Sequence, residues 1–192
     1  MVTGEITPDT DIGCFWSSTT GSPHHDQVNE AHGSPNTATY IGATEANGDD
    51  NAYETLGFTT LDDIQDNSIT QIKVYVYGFY LGGQPEIAVS WNSGSSFSAL
   101  VNMTMAADYS WTSYTYAGLS YSKADLDQFQ VRFRADCPDK FDANNLTCIY
   151  AVVTYTEAAT GWAHKFTGVE GASIGKVSGV AIGSIGKIKG VE

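Results

Sequence analysis

The sequence predicts an all-β protein: an antiparallel β-sandwich of jelly-roll type followed by an extended, glycine-rich C-terminal β arm. Three observations lead to this prediction. Apolar and polar residues alternate strictly in Gln71–Tyr77 and again in Phe129–Arg134, which is the period of a half-buried strand. Several further segments of strand composition follow one another, separated by clusters of Gly, Asn, Asp and Ser. The C-terminal residues repeat with a period of eleven.

The chain divides into three regions. Residues 1–39 are polar and irregular, and we expect them to form an N-terminal arm or covering loop. Residues 40–157 carry the alternating segments and are expected to form the sandwich, while residues 158–192 form the repeat arm. The predicted strands of the sandwich are Ala52–Phe58, Gln71–Tyr77, Glu86–Trp91, Leu100–Ala106, Ser110–Tyr116, Phe129–Asp136 and Cys148–Tyr155.

One short helical turn is predicted between the strands Ser110–Tyr116 and Phe129–Asp136. Ser122 stands where a helix N-cap is expected, and Asp125 follows three residues later. In this spacing the serine hydroxyl accepts a hydrogen bond from the amide of the third helical residue, whose acidic side chain bonds back to the N-cap amide. The sequence therefore predicts a capping box at this turn.

The C-terminal region repeats the pattern Ile-Gly-Lys-Val/Ile-x-Gly-Val. Each glycine would destabilise a helix by roughly 1 kcal/mol relative to alanine, and Val and Ile favour extended backbone, so short β segments are predicted. Such a segment cannot bury its apolar residues alone, which favours docking on a surface. The residues expected at this assembly interface are Ile174, Lys176, Val177, Val180, Ile182, Ile185, Lys187, Ile188 and Val191.

The charge is distributed unevenly along the chain. The formal net charge is −13, but residues 1–160 hold twenty of the 22 acidic residues and five of the nine basic ones. The arm is slightly basic, so body and arm are electrostatically complementary. Because the body has no basic face to neutralise phosphates, nucleic acid is not an expected partner. No apolar run approaches the roughly 20 residues of a membrane span, so no membrane partner is expected either.

The three cysteines leave at least one thiol unpaired. If the strand ending before Cys137 pairs with the strand that Cys148 opens, the two sulfurs meet at the neck of a loop. The sequence is then compatible either with a Cys137–Cys148 disulfide or with two buried thiols. Cys14 is expected to be a small core residue.

Several residues have the chemistry to bind a metal ion or to carry an N-linked glycan. His24, His25 and Asp26, with Glu30 and His32 nearby, have metal-ligand chemistry but match no zinc signature, so no metal site is predicted there. Acidic loops at Asp49-Asp50-Asn51, at Asp62-Asp63 with Asp66, and at Asp136–Asp142 could supply oxygens to a structural calcium ion, although none has the spacing of a known calcium loop. Two sequons are candidates for N-glycosylation, at Asn102 and Asn145.

No catalytic residues are predicted. The sequence lacks a nucleophile elbow, a recognisable Cys/His pair and a phosphate-binding glycine loop, and it does not indicate an enzyme. The aromatic residues allow a different activity. Trp91, Trp111 and a stripe formed by Tyr75 and Tyr77 could stack on sugar rings, although such stripes also occur in subunit interfaces.

Three features together resemble a known family. They are the polar segment leading to Thr39-Tyr40-Ile, the series Trp111, Leu119 and Lys123-Ala-Asp-Leu-Asp-Gln-Phe, and the closing strand Cys148-Ile-Tyr-Ala-Val-Val-Thr-Tyr. This series resembles the β-sandwich domain of bacteriophage virion and tail-associated structural proteins, and the C-terminal repeats resemble those common in the same proteins. The resemblance implies a virion-associated or extracellular structural role.

The resulting expectation is a non-enzymatic structural subunit without a cofactor. It would assemble with identical copies, head to tail, when the arm adds β-strands to a neighbour as part of a filament, tube or virion. The alternative is a glycan-binding adhesin or receptor-binding module. Docking of the arm on its own body is the simpler alternative to assembly.

Overall fold

The computed structural model describes residues 1–19, 23–44, 51–61, 64, 69–139 and 143–156, and the backbone of residues 176–177 and 180–181. Among these residues, two antiparallel sheets pack face to face, which confirms the predicted β-sandwich. Sheet A runs in the order β3-β4-β11-β6-β9, with β1 also paired to β11. Its strands are β1 (Val2–Ile6), β3 (Ser17–Ser18), β4 (Ile41–Thr44), β6 (Ile69–Leu81), β9 (Ser110–Tyr121) and β11 (Ala143–Tyr155).

Sheet B is built from the strands that lie between those of sheet A in the sequence. Its order is β2-β5-β10-β7-β8, and its strands are β2 (Pro8–Cys14), β5 (Tyr53–Phe58), β7 (Glu86–Ser90), β8 (Val101–Asn102) and β10 (Gln130–Arg134). From β4 to β7, and again from β8 to β11, successive strands alternate between the two sheets. This alternation is the connectivity expected for a jelly roll.

The core follows from the period-two patterns. In β6 the side chains of Ile72, Val74 and Val76 are buried, while the intervening residues point to the opposite face. The facing strand β10 contributes Val131 and Phe133, which are also fully buried. Other large buried side chains are Ile6, Ile41, Leu56, Ile64, Ile69, Ile87, Leu126, Phe129, Leu146 and Ile149.

The N-terminal region differs from its prediction. Residues 1–39 are not an irregular arm, because β1 pairs with β11 in sheet A and β2 pairs with β5 in sheet B. Ile6 and Trp16 are buried in the core. β1 and β2 contain few apolar residues, so their sequences do not show the apolar alternation by which a strand is recognised. A 3₁₀ turn at His25–Gln27 follows them.

The expected pairing of the last two strands is also wrong. β10 lies between β5 and β7 in sheet B, whereas β11 lies beside β6 in sheet A. The connection between them therefore crosses from one sheet to the other and has no hairpin neck. The Cys137 thiol donates to the carbonyl of Ala43, and the Cys148 thiol donates to the carbonyl of Glu30. The Cys137–Cys148 disulfide is not formed in this structure.

One helix and a pair of short strands complete the description. Helix α1 (Lys123–Leu126) begins at the predicted capping box. In the arm, β12 (Lys176–Val177) pairs antiparallel with β13 (Val180–Ala181). Residues 1–156 form one compact unit and residues 157–192 a second. No helix among the described residues is long and apolar enough to cross a membrane.

Candidate functional site

The free edge of β9 is the most distinctive surface of sheet A. Among the described residues, β9 pairs only with β6, on one side. It is long, at 12 residues, and contains neither a charged residue nor a proline. Edge strands normally carry such residues because they prevent pairing with other chains. The edge strand β2 of sheet B follows this rule with Pro8, Asp9 and Asp11.

The inward-facing side chains of β9 are incompletely covered. Tyr114 and Tyr116 point toward sheet B, yet both are only partly buried, with ring centroids 5.2 Å apart. Sheet B ends nearby in the two-residue strand β8. Burial raises the pKa of Tyr116 to about 12. Within the described part of the chain, the edge therefore offers unpaired backbone together with half-covered aromatic side chains.

A cleft runs along the inner side of this edge. Its volume is about 360 Å³, and β7, β9 and the loop between β7 and β8 form its walls. Trp91 stacks on Tyr121 with centroids 4.3 Å apart and contacts Phe129 at 4.7 Å, so its ring is fixed. The lining side chains are Val89, Ser90, Trp91, Asn92, Ser96, Phe97, Ser98, Tyr116, Leu119, Tyr121 and Asp125.

The polar groups at one wall of the cleft are held by hydrogen bonds. The buried Ser90 hydroxyl donates to Asn92 Oδ1 at 2.8 Å and accepts the amide of Gly94 at 3.0 Å. Asn92 Nδ2 donates to Ser96 Oγ at 2.8 Å. Ser93 and Gly94 adopt left-handed backbone conformations, with φ of 53° and 78°, which close the turn. The wall is consequently pre-organised.

Aromatic side chains cover the outer face of sheet A beside the β9 edge. Tyr75 and Tyr150 stack with centroids 4.7 Å apart, and Trp111 contacts Tyr77 at 5.2 Å and Tyr150 at 5.5 Å. The Lys73 ammonium lies 4.6 Å from the centre of the Tyr75 ring. Trp111 remains 40% exposed. This arrangement confirms that Tyr75 and Tyr77 form a stripe opposite the apolar face of β6.

His24, His25 and His32 do not gather into one site. His25 Nδ1 lies 3.0 Å from Asp11, and His32 Nδ1 lies 3.3 Å from Glu5. His24 Nδ1 instead lies 2.9 Å from Oε1 of the buried Glu54. Asp26 lies 3.4 Å from His25 Nε2 and accepts from Asn29, whereas Glu30 accepts from Thr39.

Cys14 adjoins this His24–Glu54 pair and is exposed, contrary to the expected core position. Partial burial, followed by the negative charges of Glu54 and Asp11, raises the pKa of its thiol to about 12. Cys14 and Glu54 were missed as site residues because their proximity depends on the pairing of β2 with β5. Pro8 at the start of the alternating segment Pro8–Cys14 is the signal that could have identified an edge strand.

The other predicted site residues are dispersed. Asn102 is exposed in β8, whereas Asn145 is half-buried in the interior strand β11, between β4 and β6. Lys176, Val177 and Val180 belong to β12 and β13. Six predicted interface residues lie outside the described part of the chain: Ile174, Ile182, Ile185, Lys187, Ile188 and Val191. The same holds for six residues of the acidic loops: Asp49, Asp50, Asp62, Asp63, Asp66 and Asp142.

Comparisons with known proteins identify no family for this chain. No protein family model and no curated protein matches it. Among solved structures it is similar to "Family 16 Carbohydrate Binding Module-2", with 10% sequence identity and a TM-score of 0.30. That similarity covers 63% of this chain and 77% of the other. A likeness this weak carries no inference about ligand or role.

Proposed function

We propose that this protein is a non-enzymatic structural subunit that joins identical copies by strand addition to β9. The single observation that carries the proposal is the long, uncharged edge of β9 with its half-covered inner side chains. A strand of the C-terminal arm would pair with the unpaired backbone of β9, and its apolar side chains would cover Tyr114 and Tyr116. Such docking would also bury the apolar side chains of the repeat, which the repeat cannot bury on its own.

The charge and the length of the arm support a neighbouring copy of the same chain as its partner. The body is acidic and the arm carries Lys176 and Lys187, so a neighbouring body attracts the arm. The 32 residues from Gly161 to the C-terminus span roughly 100 Å when extended, which exceeds the roughly 40 Å width of a compact body of this size. The contact joins two different surfaces, so copies would close into a ring or extend into a filament. With its resemblance to phage structural proteins, this favours a virion-associated or extracellular location.

The first experiment compares the full-length chain with a chain ending at Ala159 by light scattering and negative-stain microscopy. Rings or filaments are expected only from the full-length chain. Assembly by the truncated chain would contradict the role of the arm. If both chains were monomeric, the proposal of self-assembly would be excluded.

Substitutions at the edge identify the acceptor strand within the full-length chain. Ser113→Lys and Ala117→Lys place charge on exposed positions of β9, opposite uncharged residues of β6, and we expect each to suppress assembly without changing the unfolding midpoint. Thr10→Lys makes the same change on the β2 edge and is the matched control. Equal assembly by all three variants would exclude β9 as the acceptor.

Glycan recognition is the second candidate, and a separate observation favours it. The cleft beside β9 combines a fixed tryptophan ring with pre-organised hydroxyl and amide groups, which suits the apolar faces and hydroxyls of a sugar. Oligosaccharide titrations followed by calorimetry test this function. We expect Trp91→Phe to weaken binding and Trp111→Phe, on the outer face, to leave it unchanged. The absence of binding to a glycan array, or equal affinity of both variants, would exclude the cleft.

A further inference from the structure

A cluster of metal-ligating side chains lies at the opposite edge of the sandwich from β9. It brings together Cys14 at the end of β2, His24 before the 3₁₀ turn, and Glu54 in β5. One ligand atom from each residue lies within 4.8 Å of the other two. Cys14 and Glu54 are cross-strand partners in the β2–β5 register, so the pairing of two strands fixes two of the three ligands.

The buried carboxylate of Glu54 is oriented toward this cluster. Its Oε2 accepts the amides of Phe15 and Trp16, each at 3.2 Å. These bonds occupy Oε2 and leave Oε1 to face His24 Nδ1 at 2.9 Å. The Glu54 residue is 0% exposed, and a carboxylate is buried in this way only when it is paired or bound to a metal.

The histidine is also held in place from outside the cluster. Asp11 accepts the backbone amides of His24 at 2.8 Å and His25 at 2.7 Å, which fixes the loop against β2. Because Cys14 is exposed, the cluster opens to solvent on the sulfur side.

The donor set selects the class of ion. Sulfur, imidazole nitrogen and carboxylate oxygen suit zinc and similar divalent transition metals, whereas calcium and magnesium take oxygen ligands. Nitrogen and oxygen ligands of tetrahedral zinc lie about 3.3 Å apart, given metal–ligand distances of roughly 2.0 to 2.2 Å. The His24–Glu54 separation would therefore lengthen by only a few tenths of an ångström, with the metal taking the place of the shared proton.

We propose that Cys14, His24 and Glu54 bind one zinc-class divalent ion, with the fourth position filled by water. Such an ion would link the end of β2 and the loop before the 3₁₀ turn to β5. The site is distinct from the β9 edge and from the cleft, so it does not depend on the assembly or glycan proposals. The competing arrangement is a metal-free hydrogen bond between His24 and Glu54.

Titration of the metal-free full-length chain with Co²⁺ tests the site, because tetrahedral Co²⁺ bound to thiolate gives intense visible bands and a sulfur-to-metal charge-transfer band. We expect one equivalent to bind with both signals, and Zn²⁺ to displace it and raise the unfolding midpoint. Cys14→Ser should abolish the charge-transfer band and weaken binding at least about 100-fold, since even supporting residues contribute about 10 to 100-fold.

His32→Gln is the matched control, because His32 is exposed and its ring contacts only Glu5 and Tyr150 among the contacts described. It should bind Co²⁺ like the unaltered chain. Cys14 is exposed, so its serine variant is expected to fold, and its unfolding midpoint without metal checks this. Co²⁺ binding without a charge-transfer band, equal affinity in Cys14→Ser, or no binding would each overturn the proposal in favour of the metal-free hydrogen bond.

Discussion

At the scale of single residues, the turn after β9 shows how a local pattern fixes a local structure. The Asp125 amide donates to Ser122 Oγ at 3.3 Å, and the Ser122 amide donates to Asp125 Oδ2 at 2.7 Å. These reciprocal bonds satisfy backbone groups that would otherwise lack partners at the start of α1. The predicted capping box is therefore confirmed. It also fixes Asp125 at one end of the cleft.

Replacing the cap should have a measurable effect on stability. We expect Ser122→Ala to lower the free energy of unfolding by about 1 kcal/mol, because the Asp125 amide loses its acceptor. Urea denaturation measures the difference. Ser120→Ala, at an exposed position of β9 two residues earlier, is the matched control and should change stability by less than about 0.5 kcal/mol. Equal effects of the two substitutions would show that the cap contributes nothing.

At the scale of elements, β11 organises sheet A. It pairs with β6 along its whole length and with β1 and β4 on its other side. The β6 pairing shifts register between Leu146 and Cys148, and there the backbone of β11 approaches Gly78 closely. A Cβ atom at Gly78 would overlap the carbonyl oxygen of Asn145 and also meet Met105. Glycine is required at this irregularity because the obstructing atom belongs to the backbone.

Gly78→Ala should therefore destabilise the protein. We expect a loss of roughly 1 to 3 kcal/mol, as for other additions of volume to a packed interior, seen as a lower midpoint in thermal unfolding. Gly33→Ala provides the control, since no atom lies within 4 Å of its Cβ position. A neutral or stabilising effect of Gly78→Ala would show that β11 can shift away from β6.

At the scale of the whole molecule, the N-terminal segment ties the two sheets together. Within its first 18 residues the chain supplies β1 to sheet A, β2 to sheet B and β3 to sheet A again. Trp16 lies in the core, where its indole nitrogen donates to the carbonyl of Ala52 at 3.0 Å. Ile6 is also buried. The segment is thus part of the sandwich, although its composition suggests a peripheral arm.

Deletions at the two ends should have opposite effects. Removing residues 1–18 should abolish cooperative thermal unfolding followed by circular dichroism, because core residues and β11 would lose their cover. Removing residues 160–192 should leave the midpoint of the body unchanged, since residues 1–156 form a compact unit by themselves. A cooperative transition after the N-terminal deletion would restore the arm interpretation.

The candidate sites were only partly predictable. The tyrosine stripe of β6 could be predicted because side-chain direction along a strand alternates with a fixed period. The cleft could not, since it joins Trp91 to Tyr121 across two sheets. Proximity in the sequence was also a poor guide. His24, His25 and Asp26 are consecutive and suggested one cluster, but His24 contacts Glu54, thirty residues away.

The sequence by itself determined the all-β class, most of the strand positions in the body and the capped turn, because each depends on residues close together in the chain. The tertiary structure alone decided which strands are neighbours. It placed β10 and β11 in different sheets, separated Cys137 from Cys148, brought Cys14 to Glu54 and left β9 at an edge. Strand pairing is non-local, and many partners satisfy the same alternation, so burial of the complete chain selects among them.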